Sequence, residues 1–442
     1  MAPAQPDRYW SISFNTEASL LAGAVVGGGS DITSLYYNPA GISEIEEKKI
    51  ILNTNLFRLD YERYNNILNK NNYVGDWGFR VQPRYVSYIY RSKVIRKLSW
   101  QFAAFNRDMD YKAFSSGTDN ITNNGNREVE SIDYLYEYND YWGGIGASYE
   151  INEKLKIGLG LFVSIKNLFY NVYKYNELYT DSVEKGDVDM TYDSYERVTM
   201  YDVRMLSKIG IRYTPANSFT IGLNITTPSF KLFGNGDNKR KESITFNTDT
   251  NYSKTYEEYM PYRYAQIKDP FSVSFGFTYK LNDKSRIYAS AEWFKGIESY
   301  KIIDGTKVIK SESENYQTGT DFTSLWFSTK SIINYAFGYK QKLSDNFDLM
   351  LGFRTDFNSF NDDINNNERC LVEVHNDLYH FTLGSSFKYK RIAFLMGLQY
   401  STGQKSGYIN NGYYWGIVKI PYIVDYSINS VGLYIGFTLN FL

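Results

Sequence analysis

Large apolar side chains alternate with small or polar ones through several segments of this chain, and this period of two is its most constraining feature. In 271–281 the odd positions are all apolar, from Phe271 to Leu281, whereas the even positions are Ser, Gly, Thr or Lys. The same division occurs in 155–166, 219–226, 347–354 and 431–441. Because successive side chains of a β-strand point to opposite faces, each segment predicts a strand with one apolar face.

Weaker versions of the pattern fill the gaps and predict fourteen strands in all. They lie near 49–59, 81–91, 97–107, 140–150, 154–166, 198–213, 217–227, 271–282, 284–295, 330–343, 346–358, 376–390, 391–402 and 428–441. The connections between them are alternately short and long. The short ones are 92–96, 152–153, 214–216, 283, 344–345 and the 390/391 junction, and the long ones are 60–80, 108–139, 167–197, 228–270, 296–329, 359–375 and 403–427.

This sorting by length indicates an all-β fold, a 14-stranded antiparallel transmembrane β-barrel of the cell outer membrane, with short periplasmic turns and long extracellular loops. Charged strand residues fall largely on the face opposite the apolar one, since a basic residue facing lipid at mid-bilayer costs about 2–4 kcal/mol. They are Lys156, Lys166, Lys280, Glu292, Arg354 and Lys388. A soluble β-protein of several domains, whose apolar strand faces cover one another, is the alternative.

Composition and motifs argue against other classes of protein. No run approaches the ~20 apolar residues of a membrane-spanning helix. A formal charge of −1 lacks the basic surplus that nucleic-acid binding needs. The single cysteine, Cys370, excludes an intrachain disulfide framework.

The sequence contains few residues or motifs that are typical of catalysis. The only histidines, His375 and His380, are five residues apart, a spacing that puts them on opposite faces of a strand. Neither a G-x-S-x-G elbow nor an H-E-x-x-H zinc signature occurs. Asp362 and Asp363 offer oxygen ligands for Ca²⁺, but a solvated acidic loop is the commoner explanation. We therefore expect neither enzymatic activity nor a cofactor or metal.

Residues 1–48 do not alternate, and they precede the barrel predicted for 49–442. They include the small-residue run Ala22–Gly29, which permits close packing against a wall. A fourteen-strand barrel is too wide for its own side chains to fill, since about 8 strands already enclose a packed interior. We expect 1–48 to fold into the lumen as a plug, or hatch. An extension that packs outside the barrel is the alternative.

A short motif lies within this N-terminal segment. The run from Ala24 to Ile42 contains Asp31, followed by Asn38, Pro39, Ala40 and Gly41. It resembles the hatch signature of FadL-type outer-membrane transporters, in which an Asp shortly precedes an Asn-Pro-Ala triplet. Pro39 fixes its own φ and restricts Asn38, whose side chain can bond nearby backbone, so the triplet is expected to hold the shape of the hatch.

The resemblance implies passive uptake of hydrophobic, fatty-acid-like molecules. In such proteins the ligand lands among extracellular loops, moves to an apolar pocket above the hatch, and leaves through a gap in the wall. We expect 167–197 and 228–270 to form the landing surface. Candidate contacts in the first are Leu168, Phe169, Tyr170, Val172 and Tyr173, although an extension of the strand above the membrane also explains them. Pro83 removes a ladder donor and marks either a wall defect or an ordinary strand start.

Some members of this family serve instead as subunits of larger outer-membrane machines for secretion or assembly. A non-transporting scaffold subunit is therefore the alternative function. The expected partners are outer-membrane lipids and a hydrophobic small molecule or detergent, with other outer-membrane proteins added if the chain is a scaffold.

The facing assignment makes a direct prediction. Phe275→Arg places a charge on the lipid face and should impair insertion far more than Ser274→Arg, whose side chain points into the lumen. Folding into lipid vesicles, followed by the heat-modifiable mobility of the barrel in gels, measures the difference. Equal tolerance of the two substitutions would contradict the assignment.

Overall fold

The computed structural model describes most of the chain. The described residues are 8–10, 14, 17–29, 31–45, 50–53, 56–66, 73–82, 85–92, 94–95, 97–121, 125–180, 188–247, 253–305, 323–361, 376–389, 392–410 and 422–439. Helix is confined to the N-terminal segment, as α1 (Glu17–Leu20), α2 (Ser34–Tyr37) and a 3₁₀ helix (Pro39–Glu44). Among the described residues, no helix has the length and apolar character needed to cross a membrane.

Twenty strands make up the rest of the structure. They are β1 (Ile50–Asn53), β2 (Leu56–Asn65), β3 (Tyr73–Gln82), β4 (Tyr85–Arg91), β5 (Leu98–Ile121), β6 (Arg127–Glu150), β7 (Leu155–Tyr179), β8 (Met190–Ala216), β9 (Phe219–Thr226), β10 (Phe230–Phe246), β11 (Lys254–Tyr264), β12 (Ser272–Lys280), β13 (Ser285–Phe294), β14 (Ile297–Ile303), β15 (Leu325–Thr329), β16 (Ile332–Ser344), β17 (Phe347–Asp356), β18 (Leu378–Tyr389), β19 (Ile392–Asn410) and β20 (Tyr422–Leu439).

Eighteen of these strands form one antiparallel sheet, and β14 and β15 form a separate pair. The sheet returns on itself, because β20 pairs with β19 on one side and with β2 on the other. In four places two consecutive strands lie one above the other at the same position in the wall. These pairs are β1/β2, β3/β4, β9/β10 and β11/β12, so the eighteen strands fill fourteen positions. The predicted all-β antiparallel barrel is confirmed as the fold class.

The alternation of side chains is visible as an alternation of burial. Along β7, Ile157, Leu159, Leu161, Val163 and Ile165 are exposed on the outer face. On the inner face Lys166 and Arg354 are buried, and Lys156, Lys280 and Glu292 are partly buried. Lys388 differs from the prediction: it is exposed, near the end of β18.

Exposed aromatic residues mark both ends of this apolar outer face. Near the short turns they are Tyr149, Tyr213, Tyr279 and Tyr389. Near the long connections they are Tyr141, Tyr201, Trp293, Tyr335, Tyr379 and Tyr400. We call the second set the upper rim, and the two ends of the barrel the turn end and the hairpin end. Aromatic girdles of this kind flank the lipid-facing band of membrane barrels.

The long connections are mostly strand, which corrects the prediction that they are loops. β5, β6, β7 and β8 continue far beyond the upper rim as two tall hairpins, and β10 and β11 form a third. The predicted loops 108–139, 167–197 and 228–270 are therefore largely walls. Above the rim the apolar residues of β6 to β8 face inward, as Ile132, Tyr134 and Tyr136 do, which reverses the outward-apolar pattern of the strands below.

The N-terminal segment lies against the inner wall on many sides. Its contacts fall at inward-facing glycines, which come close to the backbone or side chains of residues 20–40. We call this set the glycine belt: Gly146, Gly158, Gly160, Gly210, Gly222, Gly276, Gly338, Gly352, Gly384 and Gly397. Many are cross-strand partners, such as Gly158 with Gly210 and Gly338 with Gly352. The belt leaves no room for a Cβ where the segment passes.

This packing predicts that glycines beside the N-terminal segment tolerate substitution less well than glycines away from it. A Cβ at Gly222 would overlap the Val26 carbonyl, whereas a Cβ at Gly143 meets nothing within 4 Å. The Val26 carbonyl is part of the backbone, so it can make room for a larger side chain only if the segment moves. Gly222→Val should therefore displace the N-terminal segment, and Gly143→Val should not. Limited proteolysis of the folded barrel measures accessibility of the segment. Equal protection in both variants would contradict the contact.

Candidate functional site

Asn38 fixes the N-terminal segment to the wall. Its side chain is fully buried, and its Nδ2 donates to the carbonyls of Val26 at 2.8 Å and Ile211 at 3.2 Å. Its Oδ1 accepts the Ala40 amide at 3.1 Å and so caps the 3₁₀ helix, which begins at Pro39. One amide thus joins two parts of the segment and strand β8.

Asp31 closes a second link within the segment. It accepts the backbone amides of Thr33 at 2.8 Å and Ala18 at 3.0 Å, together with the Thr33 hydroxyl. The Asp thereby joins the turn before α2 to α1. These contacts connect two parts of the N-terminal segment.

Two basic residues of the wall bind Glu44, the last residue of the 3₁₀ helix. The Arg212 guanidinium, on β8, donates to Glu44 Oε2 at 2.7 Å and to the Val25 carbonyl at 3.2 Å. Lys156 Nζ lies 3.1 Å from Glu44 Oε1. Gly41 lies against the Arg212 side chain, where a Cβ would collide with the guanidinium.

A cavity with about 420 Å³ of atom-free space lies between the segment and the wall. Three aromatic residues of the segment face it, and charged or amide side chains from β8, β9, β13 and β17 complete it. Its lining is Trp10, Ala22, Gly23, Val26, Tyr36, Tyr37, Lys208, Asn224, Ser274, Glu292 and Arg354.

Two charged side chains of this cavity, Glu292 and Lys208, have different surroundings. Glu292 accepts Trp10 Nε1 at 2.7 Å and the Ser272 hydroxyl at 2.6 Å. Lys208 is 5% exposed, and its Nζ lies 4.3 Å from the centre of the Tyr36 ring. Rings beside a buried ammonium suit a ligand with an apolar body and a polar or acidic end.

An aromatic cluster continues from this cavity toward β4 and β5. Its rings are in mutual contact and come from both the segment and the wall. They are Phe14, Tyr36, Tyr85, Phe105, Trp142 and Phe162.

The wall is interrupted beside this cluster. β3 pairs with β2, and β4 pairs with β5, but no ladder joins β3 to β5 within the described part of the chain. A register shift between Asn106 and Asp108 places Arg107 in a bulge of β5 at the same point. Bulges end pairing and redirect a strand. Pro83, the predicted wall defect, lies outside the described residues, between β3 and β4.

The hairpin end is filled by the pair β14 and β15, which we call the inner hairpin. Tyr300, Ile302, Ile303, Leu325 and Phe327 of this hairpin are buried in one apolar cluster with the inner faces of β6, β7 and β8. Its backbone joins the wall through an Ala265–Ile303 bridge and a 2.8 Å hydrogen bond from the Gln266 amide to the Ile302 carbonyl. It covers the lumen from above.

A layer of buried ion pairs connects the two apolar clusters. Lys166 Nζ lies 2.6 Å from Asp269 Oδ1, Arg107 lies 3.2 Å from Asp140, and Arg204 lies 3.2 Å from Asp202. Arg107 stacks over Trp142 of the lower cluster, and Asp202 accepts the amide of Ile267 in the upper one. We call these six side chains the ion layer.

The five predicted contact residues all lie on β7, on two different faces. Leu168, Tyr170 and Val172 are buried in the upper apolar cluster. Phe169 and Tyr173 are on the outer face, where the Arg197 guanidinium stacks over Phe169. The strand therefore extends above the rim, as the other interpretation of these residues predicted.

Sequence reasoning did not identify the cavity residues Trp10, Tyr36, Tyr37 and Lys208. Tyr36 and Tyr37, which directly precede Asn38, could have indicated a binding site, but nothing in the sequence shows that they lie beside Lys208 on a distant strand. His380 is buried, with Nδ1 2.6 Å from the Ser401 hydroxyl. His375, Asp362 and Asp363 lie outside the described residues.

Comparison with solved structures identifies the fold. The Pseudomonas putida toluene transporter TodX has a TM-score of 0.59 at 11% identity, over 94% of this chain and 97% of TodX. A Pseudomonas aeruginosa FadL homologue has a TM-score of 0.57 at 12% identity over 100% of both chains. The CymD monoaromatic hydrocarbon channel has a TM-score of 0.52 at 12% identity over 96% of each chain. No family model and no curated protein matches the chain. The chain therefore has the fold of the FadL-type channels for hydrophobic compounds, as the resemblance of its N-terminal motif predicted.

Proposed function

We propose that this protein is a passive outer-membrane channel for small, fatty-acid-like hydrophobic molecules. The observation that carries the proposal is the cavity between the N-terminal segment and the wall, where Trp10 and Tyr37 line the same space as Tyr36, whose ring lies 4.3 Å from the Lys208 ammonium. The aromatic rings would hold an apolar body, and Lys208 would attract an acidic end. The solved channels with this fold include transporters of toluene and other monoaromatic hydrocarbons, which supports an apolar ligand.

The proposed path has three stages. A ligand enters at the hairpin end beneath the inner hairpin, passes the ion layer, and rests in the cavity. It then leaves through the interruption between β3 and β5, which the aromatic cluster adjoins. Sideways exit suits a molecule that partitions into lipid, because it avoids transfer into water. The N-terminal segment, acting as the hatch, closes the direct route to the turn end.

The hatch role predicts a leak. Removing residues 1–42 deletes most of the hatch, including Asn38, and should leave a barrel that admits small polar solutes. Liposome swelling with sugars of increasing size measures the pore. Liposomes that stay as tight as those with the intact protein would show that this segment is not the plug.

The entry stage predicts a block by cross-linking. Ala265 and Ile303 are partners in an antiparallel bridge, so a cysteine at each has a geometry suited to a disulfide. In a Cys370→Ser background, the oxidised Ala265→Cys/Ile303→Cys variant should lose uptake of a labelled fatty acid into whole cells, and a reductant should restore it.

A disulfide elsewhere provides the matched control. Ser243 and Thr255 are cross-strand partners on β10 and β11, away from the inner hairpin, and Ser243→Cys/Thr255→Cys should leave uptake unchanged. Full uptake in the locked variant would exclude entry beneath the inner hairpin. If the unaltered protein takes up no hydrophobic probe and purifies with a fixed set of envelope proteins, it is a scaffold subunit and the channel proposal fails.

A further inference from the structure

Three asparagines and a tyrosine stand in one row on the outer wall. Asn139 on β6 faces Asn167 on β7, Asn167 faces Tyr201 on β8, and Tyr201 faces Asn235 on β10. Neighbouring strands are about 4.8 Å apart, so the row extends about 14 Å across four strands. Each amide supplies both donors and acceptors. The channel path described above uses none of these side chains.

The row forms the floor of an open groove with about 900 Å³ of atom-free space. Glu137, Phe169 and Thr199 border it on the side away from the rim. Asn139 is 6% exposed, and its Oδ1 is buried with no hydrogen-bond partner among the described residues. A buried acceptor of this kind destabilises the fold unless a ligand or water donates to it.

Tyr262 closes the far side of the groove in an unusual conformation. Its φ is 56°, in the left-handed region that bulky residues avoid. The Asp237 carboxylate accepts its amide at 2.7 Å, opposite a bulge between Gly236 and Asn238. The ring is 81% exposed. Strained positions of this kind concentrate at ligand clamps.

The charge of the groove decides the class of ligand. Its described lining contains two acids, Glu137 and Asp237, and neither lysine nor arginine, which disfavours phosphate or carboxylate. Three amides, a threonine and exposed rings suit a molecule with many hydroxyls and flat C–H faces. That combination is the chemistry of an uncharged sugar.

We propose that this groove binds an uncharged saccharide. Tyr201 belongs to the upper rim, and the amide row lies beside it, at the level where lipid headgroups meet the barrel. The sugar headgroup of an outer-leaflet glycolipid can therefore reach the groove while its acyl chains pack on the apolar wall below. A free oligosaccharide shares the chemistry and is the other source.

The experiment compares three variants of the full chain, each checked for heat-modifiable mobility. Asn167→Ala/Asn235→Ala removes two amides and Tyr262→Gly removes the ring while relieving its backbone. Asn171→Ala is the control, since Asn171 is on the same strand and face but outside the groove. Mass spectrometry quantifies a neutral diglucosyl diacylglycerol retained from mixed micelles on purification, and interferometry on nanodiscs measures binding of its free disaccharide headgroup.

We expect both groove variants to lose about fivefold or more in binding, since each removes the equivalent of at least one hydrogen bond, and Asn171→Ala to match the unaltered protein. If the groove variants lose binding of the intact glycolipid only, the ligand is the headgroup of a membrane glycolipid. If they also lose binding of the free disaccharide, the sugar alone is sufficient. Equal binding by all variants, or undiminished retention of the diacylglycerol without its sugar, overturns the proposal. Fatty-acid uptake should be unchanged in the groove variants, so failure here is separate from failure of the channel.

Discussion

The closed antiparallel wall fixes which way every side chain points, and the rest of the molecule depends on that constraint. Because the sheet returns on itself, most of its backbone groups find partners between neighbouring strands, and among the described residues the edge of β3 that faces β5 is an exception. A period of two then divides the residues into an outer apolar set and an inner polar set. The inner set carries the ion layer, the cavity charges and the glycine belt, so the lumen is built from alternate residues of the same strands that contact lipid.

The strands within the apolar band and the motif around Asn38 were predictable from sequence. The signal was strong in 155–166 and 271–281 because one face of these strands is apolar and the other is not. It failed above the upper rim, where β5 to β8 continue between polar surroundings on the outside and an apolar cluster on the inside. The inner hairpin was missed for a related reason: it is short, and its burial depends on partners far away in the chain.

The cavity could not be predicted because its lining comes from positions that no local pattern connects. Trp10, Tyr36 and Lys208 meet only after the N-terminal segment has folded against β8 and β13. Buried charges such as Lys166 and Arg354 were assigned to the lumen correctly from alternation alone. The partner of Lys166 was not, since Asp269 lies in the stretch between β11 and β12, far away in the chain.

The glycine belt has a consequence for biogenesis. Segment and wall are in close contact at all ten glycines of the belt, with backbone against backbone at six of them, so little free space remains between the two. We expect the pairing of β2 with β20 to follow the placement of the segment, so that the sheet closes around it.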